Sequence, residues 1–320
     1  RCLACSGTFY NWVISINLGK HKLMFRLKIL LMIFCIAFSA QAAFAEKQAR
    51  YLLGAMPLPS NQFPNSYGSY SKGCLAGGQA MLESGPTWQV MRLSRGRNWG
   101  HPNMISFLER LSKAVAKETS WNGIYIGDIS QPRGGPMISG HVSHQLGLDV
   151  DIWMLPAKNL NLTKSERESI SSIDVRAKNK KTISSNWTKD HMEILKLSAN
   201  DPSVDRIFVT APVKIYMCNH ESGNRDWLQK IRPYWGHNFH FHVRLKCPKD
   251  ASFCKTQKPT VQYLSKGGIG CDETLNWWIT KALEPIKIDP NKITPKSKKH
   301  PREYTMADLP KQCIAVLNSE

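Results

Sequence analysis

Histidine is concentrated in two short segments of the chain. Of its ten histidines, five lie in GHVSHQLGLDVD, which contains His141 and His144, and in GHNFHFHVRL, which contains His237, His240 and His242. An imidazole ring can bind a metal ion or carry a proton near neutral pH. The clustering therefore predicts a metal site or a proton-transfer site.

The residues around these histidines alternate between polar and apolar, as in β-strands. Successive side chains of a strand point to opposite faces, so His240, His242 and Arg244 are expected on one face, with apolar side chains on the other. In LGLDVDIWM the same alternation puts Asp149 and Asp151 on a polar face. We therefore expect two neighbouring strands that present imidazoles and carboxylates to one cleft.

Two imidazoles and one carboxylate are a ligand set that suits zinc, and three protein ligands leave a fourth tetrahedral position open to water. We predict His144, Asp151 and His242 as these ligands, with His144 held near the strand by a turn at Gly147. Zinc would activate the water, and His240 would accept or relay its proton. The alternative interpretation is that these histidines are ordinary surface or core residues.

The remaining pattern predicts an α+β fold. Apolar residues recur at helical spacing in segment 103–119, where Asn103 is the expected cap. The other expected helices are 187–199 and 212–219, and the expected strands are 123–130, 146–154, 206–211 and 239–245. We expect a single domain, stapled by disulfides, in which a central antiparallel sheet carries the zinc site and helices flank it.

The chain is basic and rich in apolar and aromatic residues. Lys and Arg number 43 against 24 Asp and Glu in 320 residues, 42% of the residues are hydrophobic, and ten are Trp. This composition excludes a mainly disordered protein. The net charge of +19 favours an anionic partner without identifying it, and we do not expect that partner to be a nucleic acid.

The amino-terminal part has the pattern of a secretion signal. Basic residues after Met24, an apolar run over 29–38 and the small-residue sequence AFA predict a signal peptide over 24–45, cleaved after Ala45. A single membrane anchor is the alternative. The apolar run is shorter than the roughly 20 residues of a spanning helix, so no stable membrane insertion is expected after cleavage. Residues 1–23 are interpreted as an upstream extension outside the fold.

Six cysteines follow the expected signal, and none forms a C-x-x-C pair: Cys74, Cys218, Cys247, Cys254, Cys271 and Cys313. An even number in an exported chain predicts three disulfides, although six cysteines allow 15 connectivities. Segment 281–320 is rich in Pro and Lys, and we interpret it as an extended tail held by Cys313. Residues 46–280 then form the catalytic domain.

The motifs resemble those of known zinc peptidases. The spacing H-x6-D, followed later by H-x-H, is similar to that of lysostaphin, D-Ala-D-Ala carboxypeptidases and the Sonic hedgehog signalling domain. Longer strings such as GSYSKGC, RNWGHP, RDWLQKIRPYWGH and HVRLKCP resemble more narrowly the penicillin-insensitive murein endopeptidases of the bacterial periplasm. The resemblance runs from about Ser66 to Cys271 and again around Cys313. It implies a periplasmic zinc enzyme that cleaves the D-alanyl to meso-diaminopimelyl cross-link of peptidoglycan.

The resemblance also implies roles for individual residues. It supports the predicted zinc ligands, makes His240 the non-ligand histidine that assists the water, and puts His141 and His237 in the cleft beside it. In the family, His141 with an Asp and a His of a later loop can help hold an additional metal. Here that loop, RAKNKKT, offers Lys178 and Lys181, which are poor zinc ligands, so one zinc is expected. The implied disulfide pairs are Cys74–Cys313, Cys218–Cys271 and Cys247–Cys254.

Two other functions stay open at this point. The chain could be a zinc D,D-carboxypeptidase that trims uncross-linked stems, or a non-catalytic module that binds the cell wall. A serine hydrolase is not expected, because no G-x-S-x-G motif occurs and Ser143 is interpreted as a turn residue. Penicillin acts by acylating a serine nucleophile, so a site without one is expected to be insensitive to penicillin.

Overall fold

The computed structural model of this chain describes residues 46–285 and 298–320. The expected signal peptide and upstream extension lie outside these residues, and so does part of the expected tail. The described residues from Gln48 onward form one unit. None of the described helices combines the length and the hydrophobicity that a membrane span requires.

The strands of the described residues are short and belong to three sheets. Their bounds are β1 Asn65–Ser69, β2 Lys72–Ala76, β3 Gln79–Ala80, β4 Ser84–Gly85, β5 Trp88–Val90, β6 Trp99–Gly100, β7 Ile124–Ile126, β8 Asp149–Trp153, β9 Val204–Val209, β10 Ile231–Pro233 and β11 His240–Leu245. Strands β1 and β2 form one hairpin, β3 and β6 form another small sheet, and the other strands form a seven-stranded sheet.

Helices connect and cover these strands. The α-helices are α1 Ala49–Leu53, α2 Pro102–Glu118, α3 Lys164–Ser169, α4 Lys189–Asn200, α5 Ala211–His220, α6 Val261–Leu264, α7 Leu275–Ile279 and α8 Gln312–Asn318. Short 3₁₀ helices are Leu93–Arg95, Asp226–Lys230, Lys281–Leu283, Pro301–Glu303 and Met306–Asp308. The fold is therefore α+β, as the sequence pattern predicts.

The large sheet contains both parallel and antiparallel strand pairs, so the prediction of an antiparallel central sheet is wrong. Its strand order is β10-β9-β11-β8-β7-β5-β4, and the β10–β9 and β5–β7 pairs are parallel. In each parallel pair a helix, α5 or α2, lies between the two strands in the sequence. Such a helix returns the chain to the end where the first strand began, so that the second strand runs in the same direction. The pairs of β11 with β8 and β9 are antiparallel.

Helix α2 matches the expected helix but begins earlier than expected. Pro102 occupies its first turn, where the missing N–H is no loss. The cap is His101, whose Nδ1 accepts a hydrogen bond from the Asn103 N–H at 3.2 Å. Asn103, the expected cap, instead donates its backbone N–H to the cap. A histidine ring nitrogen can cap a helix because it accepts a hydrogen bond, like the side-chain oxygen of Ser or Asp.

Strands β8 and β11 pair so that their polar residues meet on one face. His242 lies opposite Asp151, and Arg244 lies opposite Asp149. The intervening apolar side chains are buried in the main hydrophobic core, as the alternation predicts: Val150, Ile152, Phe241 and Val243. A face of imidazoles, carboxylates and a guanidinium therefore forms on the side of the sheet away from this core.

Three disulfides join cysteines of the described chain, and their pairing is the one that the resemblance implies: Cys74–Cys313, Cys218–Cys271 and Cys247–Cys254. Cys313 lies in α8, is fully buried, and packs with Val316 and Leu309 in a second apolar cluster. Residues 298–320 are therefore folded onto the domain, whereas the sequence pattern suggested an extended tail.

Candidate metal centre

A cleft with a volume of about 640 Å³ lies over the polar face of β8 and β11. His240, His242 and Arg244 of β11 contribute to its lining, together with the loop over 140–143, the segment around His237 and the segment over 255–258. The predicted site residues thus come together from segments far apart in the sequence.

His144, Asp151 and His242 form a tight triangle of possible ligand atoms. His144 Nε2 lies 3.2 Å from His242 Nδ1 and 3.4 Å from Asp151 Oδ1, and His242 Nδ1 lies 3.2 Å from that same oxygen. Ligand atoms bound about 2.0–2.1 Å from a tetrahedral zinc ion are about 3.3 Å from one another. The spacing of these three atoms therefore fits one face of such a tetrahedron.

His144 is held in one orientation by its backbone and by one carbonyl group. Its φ is +67°, in the left-handed region, and its backbone N–H donates to Asp149 Oδ2 at 2.9 Å. Its Nδ1 lies 2.7 Å from the Ile129 carbonyl oxygen, which can only accept, so Nδ1 carries the proton. The lone pair of Nε2 is then directed toward the triangle.

A second carboxylate holds His242. Its Nε2 lies 3.0 Å from Asp149 Oδ1, an ion-pair contact that does not meet hydrogen-bond geometry, and the anionic oxygen favours a proton on Nε2 of a neutral His242 ring. This leaves the Nδ1 lone pair facing His144 and Asp151. Burial tends to raise the pKa of Asp149, but the charge of Arg244 and its hydrogen bonds outweigh burial and hold that pKa well below its usual range.

Asp151 contributes an unsatisfied oxygen. Its Oδ1 is buried and accepts no hydrogen bond from any described residue. Burial acts to raise the pKa of Asp151, yet the neighbouring imidazoles of His240 and His144 hold it well below its usual range, so the group is a carboxylate at neutral pH. A buried carboxylate oxygen without a donor is costly unless a cation satisfies it. Two lone pairs and this oxygen therefore form a set suited to a metal ion.

His141 extends the cluster on the side of Asp128. Its Nε2 lies 2.8 Å from Asp128 Oδ2, and its Nδ1 lies 3.5 Å from Asp151 Oδ2. Ligand atoms of His141, His144 and Asp151 all lie within 4.8 Å of one another, so these residues could also hold a metal ion. His141 is thus an additional candidate ligand beside the tighter triangle.

Asp128 is a site residue that the sequence pattern does not reveal. Arg97 Nη1 donates to Asp128 Oδ2 at 2.9 Å, and Arg95 Nη1 lies 3.1 Å from the same oxygen. Asp128 is only 4% exposed, so two guanidinium groups and His141 satisfy a buried carboxylate. Its position just after the short strand β7 is the only sequence signal, and it is too common to identify a site.

His240 and His237 lie at the open side of the triangle. The His240 side chain is 24% exposed, and its Nε2 lies 3.5 Å from Asp151 Oδ2. The ring of His237 lies 5.1 Å from that of His240, between centroids. Burial lowers the pKa of both rings, and the proximity of the His242 and His240 imidazoles helps to lower that of His237 to about 3, so both rings are neutral at neutral pH. Neutral imidazoles can accept protons.

The loop RAKNKKT, which corresponds to the family's additional metal site, does not contribute to this cleft. Lys178 lines a separate groove, formed by residues between Asp174 and Asn186, that shares no lining residue with the cleft. Lys181 is exposed in the same loop.

A buried His-His-Asp cluster beneath an open cleft is an arrangement that resembles the sites of hydrolases that use a metal ion. Comparison with known proteins is more specific. A family model described as penicillin-insensitive murein endopeptidase matches residues 66–318, and the chain belongs to this family of peptidases. The resemblance in the sequence motifs is thereby confirmed.

Relatives in other bacteria extend over most of the chain. The penicillin-insensitive murein endopeptidase of Haemophilus influenzae is 40% identical over 240 residues, which cover 75% of this chain and 82% of that protein. The protein of the same name from Pectobacterium atrosepticum is 36% identical over 260 residues, covering 80% and 84%. That from Shigella sonnei is 35% identical over 263 residues, covering 82% and 88%.

Proposed function

We propose that this chain is a periplasmic zinc endopeptidase that hydrolyses the D-alanyl to meso-diaminopimelyl cross-link of peptidoglycan. The observation that carries the proposal is the buried Asp151 Oδ1, which accepts no hydrogen bond from the described residues and faces the lone pairs of His144 and His242. Membership of the murein endopeptidase family supplies the substrate class.

His144, Asp151 and His242 are the zinc ligands in this proposal. Each is nine-tenths or more buried, so the ligand set is formed before substrate arrives. When bound there, zinc supplies Lewis acidity, which lowers the pKa of a water molecule and polarises a carbonyl group. His141 is the additional candidate ligand, and its ring is held by Asp128.

His240 is the proposed general base. It is neutral, partly exposed to the cleft, and close to the carboxylate of Asp151, so it can accept a proton from the attacking water. Once protonated, its positive charge is stabilised by Asp151 and can stabilise the oxyanion that develops on the carbonyl oxygen. The same proton can then pass to the leaving diaminopimelyl amine.

His237 supports His240 in this mechanism. Its Nδ1 lies 2.6 Å from the Trp235 carbonyl oxygen, which fixes the ring, and its low pKa keeps it uncharged beside His240. An uncharged neighbour does not repel the imidazolium that forms on His240 during proton transfer. His237 therefore favours the protonated form that the reaction needs.

The periplasm is the proposed location. Peptidoglycan lies there, and three disulfides form and persist in an oxidising compartment.

Digestion of purified sacculi tests this function. Hydrolysis of the cross-link adds water across the amide, so mass spectrometry should find a new diaminopimelyl amine and a new D-alanyl carboxylate in equal amounts. A carboxypeptidase would instead release free D-alanine from uncross-linked stems and create no new diaminopimelyl amine. A wall-binding module would bind sacculi and release nothing. Either of these outcomes would refute the proposed endopeptidase.

A further inference from the structure

The side chains of the described cleft lining that can carry a charge near neutral pH are histidines, Arg244 and two lysines. No Asp or Glu belongs to this lining, because Asp149 and Asp151 are buried beneath it. Lys255 and Lys258 stand on one wall, are exposed, and make no ion pair or side-chain hydrogen bond with any described residue. The cleft thus offers two unpaired positive charges.

The backbone that carries these lysines is fixed at one end by a disulfide and a strand contact. Cys254, the residue before Lys255, is bonded to Cys247. The Lys255 N–H donates to the Gly68 carbonyl oxygen at 2.7 Å, and the Gly68 N–H donates to the Phe253 carbonyl oxygen at 3.0 Å. Lys255 therefore extends from a segment attached to β1.

The other end of the segment is fixed by two buried arginines. Arg206 Nη2 donates to the carbonyl oxygens of Gln257 and Pro259, at 3.2 and 3.1 Å, and Arg244 donates to the side-chain oxygen of Gln257. These bonds hold the backbone on both sides of Lys258. Two flexible cationic side chains thus begin from fixed points at the edge of the cleft.

The two arginines differ from the lysines because their charges are compensated. Arg244 is paired with Asp149, and Arg206 is paired with Asp205. Lys255 and Lys258 are consequently the basic groups of this wall that are free to bind an anionic ligand.

We propose that Lys255 and Lys258 bind a free carboxylate of the peptide substrate and position the cross-linked stem over the metal centre. This inference rests on the proposed function. A stem that contains diaminopimelic acid has a carboxylate next to the amine of the cross-link, and an ammonium group binds a carboxylate through a charge-assisted hydrogen bond. The two lysines act in binding and take no part in the chemical step.

Kinetics with a matched pair of substrates test this inference. One is a cross-linked stem-peptide dimer with free diaminopimelyl carboxylates, and the other is the same dimer with those carboxylates converted to carboxamides. For the double variant Lys255→Met/Lys258→Met, KM for the acidic dimer should rise about tenfold, with kcat changed less than about twofold, because two charge-assisted contacts are lost. KM for the amidated dimer should be the same in both proteins.

Lys249→Met is the control, because Lys249 is an exposed lysine of the neighbouring Cys247–Cys254 loop that does not line the cleft. It should leave both substrates unaffected. Added salt should raise KM for the acidic dimer in the wild type and much less in the double variant.

An unchanged KM for the acidic dimer in the double variant would overturn the inference, and so would an equal loss on both dimers. If the wild-type protein cleaves neither dimer, the proposed function itself fails. The two failures are therefore distinguishable.

Discussion

Arg244 donates two hydrogen bonds to Asp149, from Nε to Oδ1 at 2.7 Å and from Nη2 to Oδ2 at 3.0 Å. Both residues are buried, and the ring of Tyr70 lies 4.1 Å from the Arg244 guanidinium carbon. The pair fixes the carboxylate that faces His242. The orientation of a candidate ligand thus depends on a guanidinium that acts through Asp149.

Asp149→Asn should weaken zinc binding about 10- to 100-fold, because an amide holds His242 without the charge that raises its basicity. Competition with a chromogenic chelator measures this affinity. Circular dichroism should show that the variant is folded. An unchanged zinc affinity in a folded variant would show that Asp149 has no influence on the ligand.

His240→Ala should keep its zinc and lose roughly 10²-fold or more in turnover, because the variant lacks the general base but retains the three ligands. Zinc content and cleavage of a cross-linked muropeptide are measured on the same sample. His220→Ala, at an exposed histidine of α5 that does not line the cleft, is the control and should behave as wild type. Full activity of His240→Ala would remove His240 from the mechanism.

The sequence pattern predicts the two strands that meet at the site and the faces on which their polar residues lie. Alternation is enough for that, because the period of a strand is fixed by its geometry. It does not reveal the Ile129 carbonyl that sets the tautomer of His144, since every residue has a carbonyl group. Asp128 is missed for a related reason: its partners, Arg97 and His141, are brought to it only by the tertiary fold.

The direction of the strand pairs is another feature that local patterns leave undetermined. The parallel pairs arise from where α2 and α5 pack. Apolar periodicity indicates that a helix has a buried face, but it does not indicate which strand that face covers. The disulfide pairs likewise follow from the fold, and only the family resemblance distinguishes them among 15 possibilities.

Removing the Cys74–Cys313 disulfide should destabilise the domain more than removing Cys247–Cys254. The first bond spans 239 residues and the second spans 7. In the loop-entropy model these losses correspond to roughly 5.5 and 2.5 kcal/mol of unfolding free energy. Urea denaturation of the paired Cys→Ala variants measures both. Equal losses would contradict the loop-entropy explanation.

Lys214 should make the stability of the fold depend on pH. Its side chain is fully buried and donates to the carbonyl oxygens of Leu228 and Ile269. Burial, with the charges of Arg232 and Arg225, lowers its pKa from 10.5 to about 7. The unfolded chain then binds the proton more strongly, so this contribution to stability rises with pH between about 7 and 10.5, by at most about 1.4 kcal/mol per pH unit.

Lys214→Met tests this dependence, because it keeps most of the buried volume and removes the titration. The unfolding free energy of the wild type should increase relative to that of the variant as pH rises from 7 to 9. Lys113→Met, at an exposed lysine of α2, is the control and should show no such trend. A constant difference for Lys214→Met would mean that its pKa is not lowered in the fold.

The central claim is that His144, Asp151 and His242 bind a zinc ion on which peptidoglycan cleavage depends. Elemental analysis of the gently purified wild type and His242→Ala, together with cleavage assays on the same samples, tests it most directly. The account predicts about one zinc ion per chain and cross-link cleavage in the wild type, and loss of both in the variant, because two ligands hold zinc poorly. Stoichiometric zinc in His242→Ala, or undiminished cleavage by a wild-type sample stripped of metal, would contradict it.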